Sequence, residues 1–273
     1  MSKKVILITG ASSGMGKETA KSLIQQGHTV YTVARRIDQI QDLKALGGHP
    51  FQMDVTNSKE IQQVVDTIIQ KEGKIDVLWN NAGYGLYGSV EDVPVEEARK
   101  QFEVNLFGLA AITQKVIPYM REAKSGTIIN TSSMGGKMYT PLGAWYHASK
   151  HAVEGFSDCL RLELQPFNID VVVLEPGIIV TEFGEVMLNN IQQFSSKGAY
   201  ASLTSKLVKA TKQMYERGQG SKTSVISSTI SKVISANKPK TRYRVGLWAK
   251  PMVWMRIHLG DRLFDKIVMS QVK

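Results

Sequence analysis

Tyr146 and Lys150 lie four residues apart in the segment YHASK, whose surroundings have the apolar pattern of a helix. Positions i and i+4 share one helix face, about 6 Å apart, so the lysine charge at this spacing favours the tyrosine phenolate. A free tyrosine has a pKa of about 10, and a proton-transferring tyrosine therefore needs more than one such neighbour. The pair alone is equally typical of a protein surface, and its chemistry depends on what surrounds it.

A glycine-rich segment, TGASSGMG at 9–16, lies between a predicted strand and a predicted helix. Gly10 permits a tight turn there, and Gly14 lets the backbone approach a pyrophosphate. The helix that follows presents free amide groups and the positive end of its dipole to the same place. The segment predicts a dinucleotide site at the end of the first strand.

The second predicted strand ends in Ala34, Arg35 and Arg36. Folds that bind NAD carry an acidic residue at about this place to hold the ribose 2′-hydroxyl, whereas an arginine accommodates the 2′-phosphate of NADP. Because Ala34 is not acidic and two guanidinium groups follow it, we expect NADP(H). The alternative is that both arginines belong to a solvated turn.

Short apolar, β-branched runs alternate with longer helical patterns along the first two thirds of the chain, as in successive βαβ units. The predicted strands are 4–9, 29–34, 50–55, 76–81, 127–132, 170–175 and 240–246. The predicted helices are 14–26, 37–46, 58–72, 95–123 and 145–165, with further helical patterns in 186–236 and a short amphipathic helix at the end. This order predicts an α/β fold, a doubly wound parallel sheet of the Rossmann type, in which ligands bind at the carboxyl ends of the strands.

We expect one domain. Residues 1–185 would form the cofactor-binding and catalytic core, and 186–273 would add substrate-loop helices, a last strand and a basic C-terminal tail. The single cysteine, Cys159, excludes an internal disulfide, and we expect it to be packed between helices. The sequence shows neither a secretory leader nor an apolar run long enough to span a membrane, which indicates a cytoplasmic protein.

The positive charge is concentrated near the C-terminus. Residues 1–196 contain 18 Lys+Arg and 21 Asp+Glu, whereas 197–273 contain 16 and 3. A tail of this charge is compatible with nucleic acid, anionic lipid or an acidic substrate, and also with a plain solvated face. We expect no nucleic acid partner.

Over residues 4–185 the chain resembles the single-domain branch of the short-chain dehydrogenase/reductase family, and overall its hydroxysteroid and retinol dehydrogenase-like group. The resemblance is carried by TGASSGMG, NNAG at 80–83, VNLFG around Asn105, YHASK and PGIIVT at 176–181. Ser133, 13 residues before Tyr146, has the family's spacing and is preferred to Ser132. The catalytic residues implied by the resemblance are Asn105, Ser133, Tyr146 and Lys150. The cofactor-binding residues it implies, with the arginines above, are Gly10, Ser12, Ser13, Gly14, Met15, Gly16, Arg35, Arg36, Asp54, Val55, Asn81, Ala82, Gly83, Tyr146, Lys150, Pro176, Gly177, Ile179 and Thr181.

The resemblance also implies roles for these residues. Tyr146 would exchange a proton with the substrate oxygen, which Ser133 would hold, and Lys150 would bind the nicotinamide ribose. Asn105 would anchor a water in a proton relay. The expected activity is hydride transfer between NADP(H) and an alcohol or carbonyl compound. Two other functions stay open: a dinucleotide-binding regulator without catalysis, and a sugar-nucleotide epimerase or dehydratase.

The substrate is expected to be small and apolar, since the segments 84–90 and 134–145 and the one after Pro176 are rich in aromatic and aliphatic residues. The apolar residues of the middle segment belong either to the core or to a pocket wall; they are Met134, Met138, Tyr139, Leu142 and Trp145. His147 and His151 have a possible metal spacing, but without a third ligand we expect a solvated helix face and no metal.

The family commonly forms homodimers or homotetramers through the helices predicted at 95–123 and 145–165, and we expect the same here. Ala152, Phe156, Cys159 and Leu160 would supply the second helix's part of that contact. The tail segment 244–260 has two interpretations: a cap over the substrate entrance or a partner subunit, or a patch that settles on anionic lipid. We favour the cap, because Pro251 should prevent a long amphipathic helix.

Overall fold

The computed structural model describes residues 2–270 and 272, and a sheet of seven parallel strands forms its centre. The strands are β1 (Val5–Thr9), β2 (Thr29–Ala34), β3 (His49–Gln52), β4 (Val77–Asn80), β5 (Gly126–Thr131), β6 (Ile169–Pro176) and β7 (Arg242–Val245). Their order across the sheet is β3-β2-β1-β4-β5-β6-β7. The doubly wound parallel sheet predicted from the sequence is therefore confirmed, and its direction of winding reverses between β1 and β4.

Helices cover both faces of the sheet. They are α1 (Gly14–Gln25), α2 (Asp42–Ala45), α3 (Ser58–Glu72), α4 (Val95–Phe102), α5 (Leu109–Glu122), α6 (Ala144–Leu164), α7 (Phe183–Ser195), α8 (Ala201–Glu216), α9 (Ser224–Ser235), α10 (Ala249–His258) and α11 (Asp261–Ser270). Alternate β1 side chains enter opposite cores: Val5 and Leu7 contact the core that includes α3 and α5, and Ile6 and Ile8 contact the core that includes α1 and α9. A strand buried on both faces explains the continuous apolar runs.

The helix predicted at 95–123 is interrupted. Between α4 and α5 the backbone forms a π-helical turn, Glu103–Gly108, which contains Asn105. A Cβ on Gly108 would lie 2.7 Å from the carbonyl oxygen of Val55, so glycine allows the turn to approach the loop after β3. Such turns inside α-helices occur frequently at functional sites. The helix predicted at 37–46 is likewise divided, into a 3₁₀ turn at Ile37–Ile40 and the short α2.

The end of the chain forms two helices instead of the single one predicted. Pro251 does not interrupt α10, because it lies in the first turn, where a helix tolerates a residue without an N–H group. The buried residues Met138, Phe264 and Val268 join the C-terminal helices to the segment after β5. None of the helices within residues 2–270 is long and apolar enough to cross a membrane.

Candidate active site

The loops after β1 and β4 meet where the winding of the sheet reverses. The hydroxyl oxygen of Thr9 accepts hydrogen bonds from the backbone N–H groups of Asn81 and Ala82, each at 3.0 Å. The Asn81 amide nitrogen donates to the Gly10 carbonyl oxygen at 3.0 Å. Gly10 has φ 66°, and a Cβ there would lie 2.6 Å from Cα of Ala82. Glycine is therefore required at position 10 for both its backbone conformation and the close contact.

This junction has the features of a dinucleotide cradle. No side chain caps the N-terminus of α1, which leaves its first amide groups available to an anion. A Cβ on Gly16 would collide with the Gly10 carbonyl oxygen, so the helix packs closely against the loop. The side-chain oxygen of Asn81 is buried and has no hydrogen-bond partner among the described residues. A buried acceptor of this kind is satisfied when a bound molecule supplies a donor.

Lys150 is buried at the centre of the site, with only 6% of its surface exposed. Its ammonium nitrogen donates to the carbonyl oxygen of Thr131, the last residue of β5, at 2.9 Å. Burial lowers the pKa of Lys150 to about 8, and the charge of Glu154, one turn further along α6, opposes that change. The lysine can therefore change its charge state close to neutral pH.

Tyr146 lies one turn before Lys150 and is equally buried. Burial raises the pKa of its phenol to about 12, and a hydrogen bond with the Ser133 side chain partly opposes the rise. The pKa of Tyr146 is therefore raised, not lowered as expected from Lys150, because burial disfavours the charged phenolate. The Tyr146 ring packs between Tyr87 and Phe183, with centroids 5.5 and 5.4 Å away. Tyr146 is thus a neutral phenol that faces Ser133.

Asn105 uses its whole amide group to hold the loop after β4. Its side-chain oxygen accepts from the Tyr84 N–H at 3.0 Å, and its nitrogen donates to the Tyr84 carbonyl oxygen at 3.0 Å. The same nitrogen donates to Ser149, whose hydroxyl donates to the Tyr146 carbonyl oxygen. Asn105 therefore connects the π-helical turn to the backbone of the predicted catalytic helix, in addition to the relay role expected of it.

His147 holds the segment that follows Ser133, which the sequence interpretation missed. It is buried, not solvated as expected. Its Nε2 accepts from the Thr140 N–H at 3.0 Å, so Nδ1 carries the hydrogen and donates to the Gly135 carbonyl oxygen at 2.9 Å. Burial lowers the pKa of His147 to about 4, which keeps this neutral pairing at physiological pH. The signal in the sequence was its position directly beside Tyr146.

These residues surround a cavity of about 300 Å³. The predicted site residues that line it are Met15, Asn81, Gly83, Ser133, Tyr146, Lys150, Pro176, Gly177, Ile179 and Thr181. The cavity is also lined by residues from the segments expected to set the substrate, among them Tyr84, Tyr87, Met134, Met138, Thr140 and Phe183. The α8 residues Leu207, Thr211, Met214 and Tyr215 also line the cavity, and nothing in the sequence pattern singled them out. Tyr139, Leu142 and Trp145 belong instead to the neighbouring apolar clusters.

The other predicted cofactor residues do not line this cavity. Gly10, Ser12, Ser13, Gly14 and Gly16 form the turn into α1, and Ala82 contacts that turn. A Cβ on Gly14 would lie 3.2 Å from Cγ2 of Thr181, so the segment 176–181 meets the glycine-rich loop. The Asp54 carboxylate accepts from the Thr56 N–H at 2.9 Å, beside the buried Val55. Arg35 and Arg36 are exposed, and no acidic partner for them is found in the described residues.

The family model for short chain dehydrogenases matches residues 4–192, more than half of the chain. The chain belongs to the short-chain dehydrogenase/reductase family. It is 39% identical over 262 residues to a 3-ketodihydrosphingosine reductase of Bacteroides thetaiotaomicron, with 93% of this chain and 94% of that protein covered. It is 32% identical over 279 residues to the NADPH-dependent 3-dehydrocapnine reductase of Ornithobacterium rhinotracheale, with 98% and 96% covered.

Among solved structures, the fold matches the closed form of a serine dehydrogenase complexed with NADP⁺. The TM-score is 0.78 at 28% identity, and the match covers 89% of this chain and 94% of that one. The protein is accordingly an oxidoreductase of the short-chain dehydrogenase/reductase family. This assignment agrees with the resemblance seen in the sequence motifs.

Cys159 of α6 is exposed in the single chain, so its expected packing between helices depends on the predicted contact between subunits. Leu160 faces the core instead, and Phe156 is packed against it. Among the residues that the structure describes, no three His, Cys, Asp or Glu side chains are arranged to hold a metal ion.

Proposed function

We propose that this protein is an NADP(H)-dependent oxidoreductase that reduces an apolar ketone to an alcohol, or carries out the reverse oxidation. The proposal depends on one observation above all: Ser133, Tyr146 and Lys150 line a single cavity beside the glycine-rich loop. All three side chains are in place, which favours catalysis over a purely regulatory role.

The proposed chemistry divides between the cofactor and this chain. When bound, the reduced nicotinamide supplies the hydride. Tyr146 supplies the proton: with its pKa raised to about 12, the phenol is protonated at neutral pH and can act as a general acid toward a carbonyl oxygen held by Ser133. Lys150 adds a positive charge near the site while it stays protonated, below a pH of about 8. This charge stabilises the negative charge that develops on the oxygen.

NADP(H) is proposed over NAD(H) because of Arg35 and Arg36. Ala34, which precedes them, has no carboxylate to hold a ribose hydroxyl or to repel a phosphate. Both arginines are exposed and have no acidic partner among the described residues, so their charge is available to a phosphate. A relative described as NADPH-dependent and a structural neighbour with NADP⁺ support the choice.

We further propose a long aliphatic chain in the substrate. Flexible apolar side chains form much of the cavity wall; they are Met134, Met138, Met187, Leu207 and Met214. Methionine adapts its shape to an irregular ligand, which suits a mobile chain better than a rigid polar one. Two relatives named as reductases of 3-ketodihydrosphingosine and 3-dehydrocapnine support this class.

NADPH absorbance provides the test. The purified protein would be assayed with 3-ketodihydrosphingosine, a shorter aliphatic ketone, a steroid ketone, retinal and a sugar nucleotide. We expect the highest kcat/KM with the long-chain ketone. A preference for the steroid or retinal would overturn the substrate class alone, and activity with only the sugar nucleotide would overturn the proposed reaction.

A further inference from the structure

Helix α10 has two faces with different environments. On the inner face, Met252 and Met255 pack against the cluster that contains Met138 and Met134, both of which line the cavity. This packing agrees with the expected cap. On the outer face, Trp254 and Ile257 are 56% and 59% exposed. The inner face thus packs behind two residues of the cavity wall, whereas on the outer face Trp254, stacked on His258 of the same helix, stays more than half exposed.

More exposed apolar side chains lie next to this outer face in sequence. Leu247 and Trp248, just before α10, are 37% and 47% exposed, and Leu263 and Met269 of α11 are 48% and 42% exposed. We call the exposed side chains of 247–269 the C-terminal patch. Scattered exposed apolar residues are normal, but Trp254 and Ile257, three positions apart on one face of α10, place two large exposed apolar side chains side by side, as at a contact surface.

The charges of the C-terminal patch are predominantly positive. Lys250, Arg262 and Lys266 are exposed, and within residues 2–270 and 272 no acidic side chain pairs with them. Asp261 pairs with Arg256 at 2.8 Å, whereas Asp265 accepts from the neutral Tyr139 hydroxyl at 2.9 Å and keeps its charge. With four Lys+Arg and two Asp in 247–269, the charge that the segment presents to a partner is net positive.

We propose that the C-terminal patch binds the surface of a membrane that contains anionic lipids. Tryptophan has an apolar ring and one N–H donor, which suits the boundary between lipid headgroups and acyl chains. Isoleucine and leucine add apolar area, and each nearby lysine or arginine adds attraction to anionic headgroups. A second copy of this chain is disfavoured as the partner, because a two-fold contact would bring the same cations together.

The place of α10 in the fold connects this surface to the active site. Leu247 pairs with Ile178, a cavity residue, in an isolated antiparallel bridge. A Cβ on Gly177 would lie 2.8 Å from the Ala249 nitrogen, so α10 begins directly against the cavity loop. A docked protein would hold this side of the cavity close to the lipid. The docking itself does not depend on the proposed substrate.

Flotation with vesicles tests the proposal without any activity measurement. The full chain would be mixed with vesicles of phosphatidylcholine and phosphatidylglycerol, and separately with phosphatidylcholine alone. We expect binding to the anionic vesicles that weakens as salt is added, and little binding to the neutral ones. No binding at low salt, or equal binding to both vesicle types, would overturn the proposal.

Matched variants identify the surface. Trp254→Ala with Ile257→Ala should reduce vesicle binding at least about tenfold, whereas Leu46→Ala with Val90→Ala, which removes two exposed apolar groups elsewhere, should not. Lys250→Gln with Lys266→Gln should also reduce binding about tenfold or more, unlike Lys44→Gln with Lys59→Gln. Circular dichroism verifies that each variant is folded. Equal losses in variant and control, or a change in oligomeric state specific to Trp254→Ala with Ile257→Ala, would overturn the proposal.

Discussion

Glu154 of α6 and Arg242 of β7 form an ion pair one helical turn from Lys150. Nη2 of Arg242 lies 3.1 Å from Oε2 of Glu154, and Nζ of Lys137 lies 3.1 Å from the same oxygen. The Glu154 side chain is only 4% exposed. Its charge raises the pKa of Lys150 against the larger effect of burial. The Glu154 carboxylate thus forms ion pairs with the last strand and with the segment after Ser133, and it also influences the charge state of Lys150.

Glu154→Gln should destabilise the protein by about 2 kcal/mol, because partly buried Lys137 loses its anion, whereas Arg242 keeps Asp158 and Glu175 as partners. It should also lower the pKa of Lys150 further, so the alkaline limb of the kcat/KM profile should move to lower pH. Urea unfolding and a pH profile measure the two effects. Asp158→Asn is the control: its side chain is 38% exposed, and its loss should cost about 1 kcal/mol or less. An unchanged alkaline limb in Glu154→Gln would refute the link to Lys150.

Tyr146→Phe should bind NADPH normally and lose turnover by several orders of magnitude, since it removes only the transferable proton. Fluorescence titration with NADPH and steady-state kinetics separate the two effects. Tyr119→Phe, which removes a phenol hydroxyl on α5 instead, should leave both NADPH binding and turnover unchanged. Near-normal turnover of Tyr146→Phe would exclude the proposed acid.

Arg35→Ser should weaken NADPH binding by about tenfold to a hundredfold and leave NADH binding nearly unchanged, because only NADPH has the 2′-phosphate. Titration of both cofactors measures the difference, with Arg217→Ser as a control for general loss of charge. If the variant binds both cofactors equally less well, Arg35 has only a structural role.

Lys150→Met should make the protein without cofactor more stable. The folded-state pKa of about 8 is below the ordinary value of 10.5, so folding disfavours the charged lysine. The difference corresponds to about 3 kcal/mol, and loss of the Thr131 hydrogen bond offsets about 1 kcal/mol of it. We expect a net gain of about 2 kcal/mol at pH 7.

The pH dependence of the free energy of unfolding tests the sign of this effect. The penalty of the native lysine is complete below pH 8 and disappears as pH rises toward 10.5, because the folded protein loses its proton first. The advantage of Lys150→Met should therefore shrink over that interval in urea unfolding. Lys59→Met, at an exposed position, should show no such dependence. A constant difference would mean that Lys150 is not charged and buried at neutral pH.

The predicted homodimer or homotetramer is still a prediction. Phe107 in the π-helical turn and Leu162 in α6 are 54% and 65% exposed, which gives the two expected helices apolar side chains for a partner. Sedimentation at micromolar concentration should show a dimer or tetramer. Leu162→Asp should shift it toward monomer, whereas Leu46→Asp, at an exposed position just after α2, should not. A clean monomer of the native protein would contradict the expectation.

Much of this molecule follows from local sequence. Strands buried on both faces need continuous apolar runs, so the sheet was readable directly. The glycine-rich segment also predicted a tight turn after the first strand, and the positive φ of Gly10 agrees with that turn. Tyr146 and Lys150 were also readable, because an i, i+4 spacing places both on one helix face. What the sequence determines here are properties of one element and its neighbours along the chain.

Tertiary structure decided the properties that depend on distant residues. The pKa of Tyr146 is raised by burial, and its ring lies between Tyr87 and Phe183. Helix α8 forms one wall of the cavity, although its sequence has the pattern of any amphipathic helix. His147 is buried instead of solvated, because the segment that holds Gly135 and Thr140 folds against it. The hydration, exposure and charge interactions of a side chain depend on all the residues around it in space. The order of residues along the chain does not reveal which distant segments will surround it.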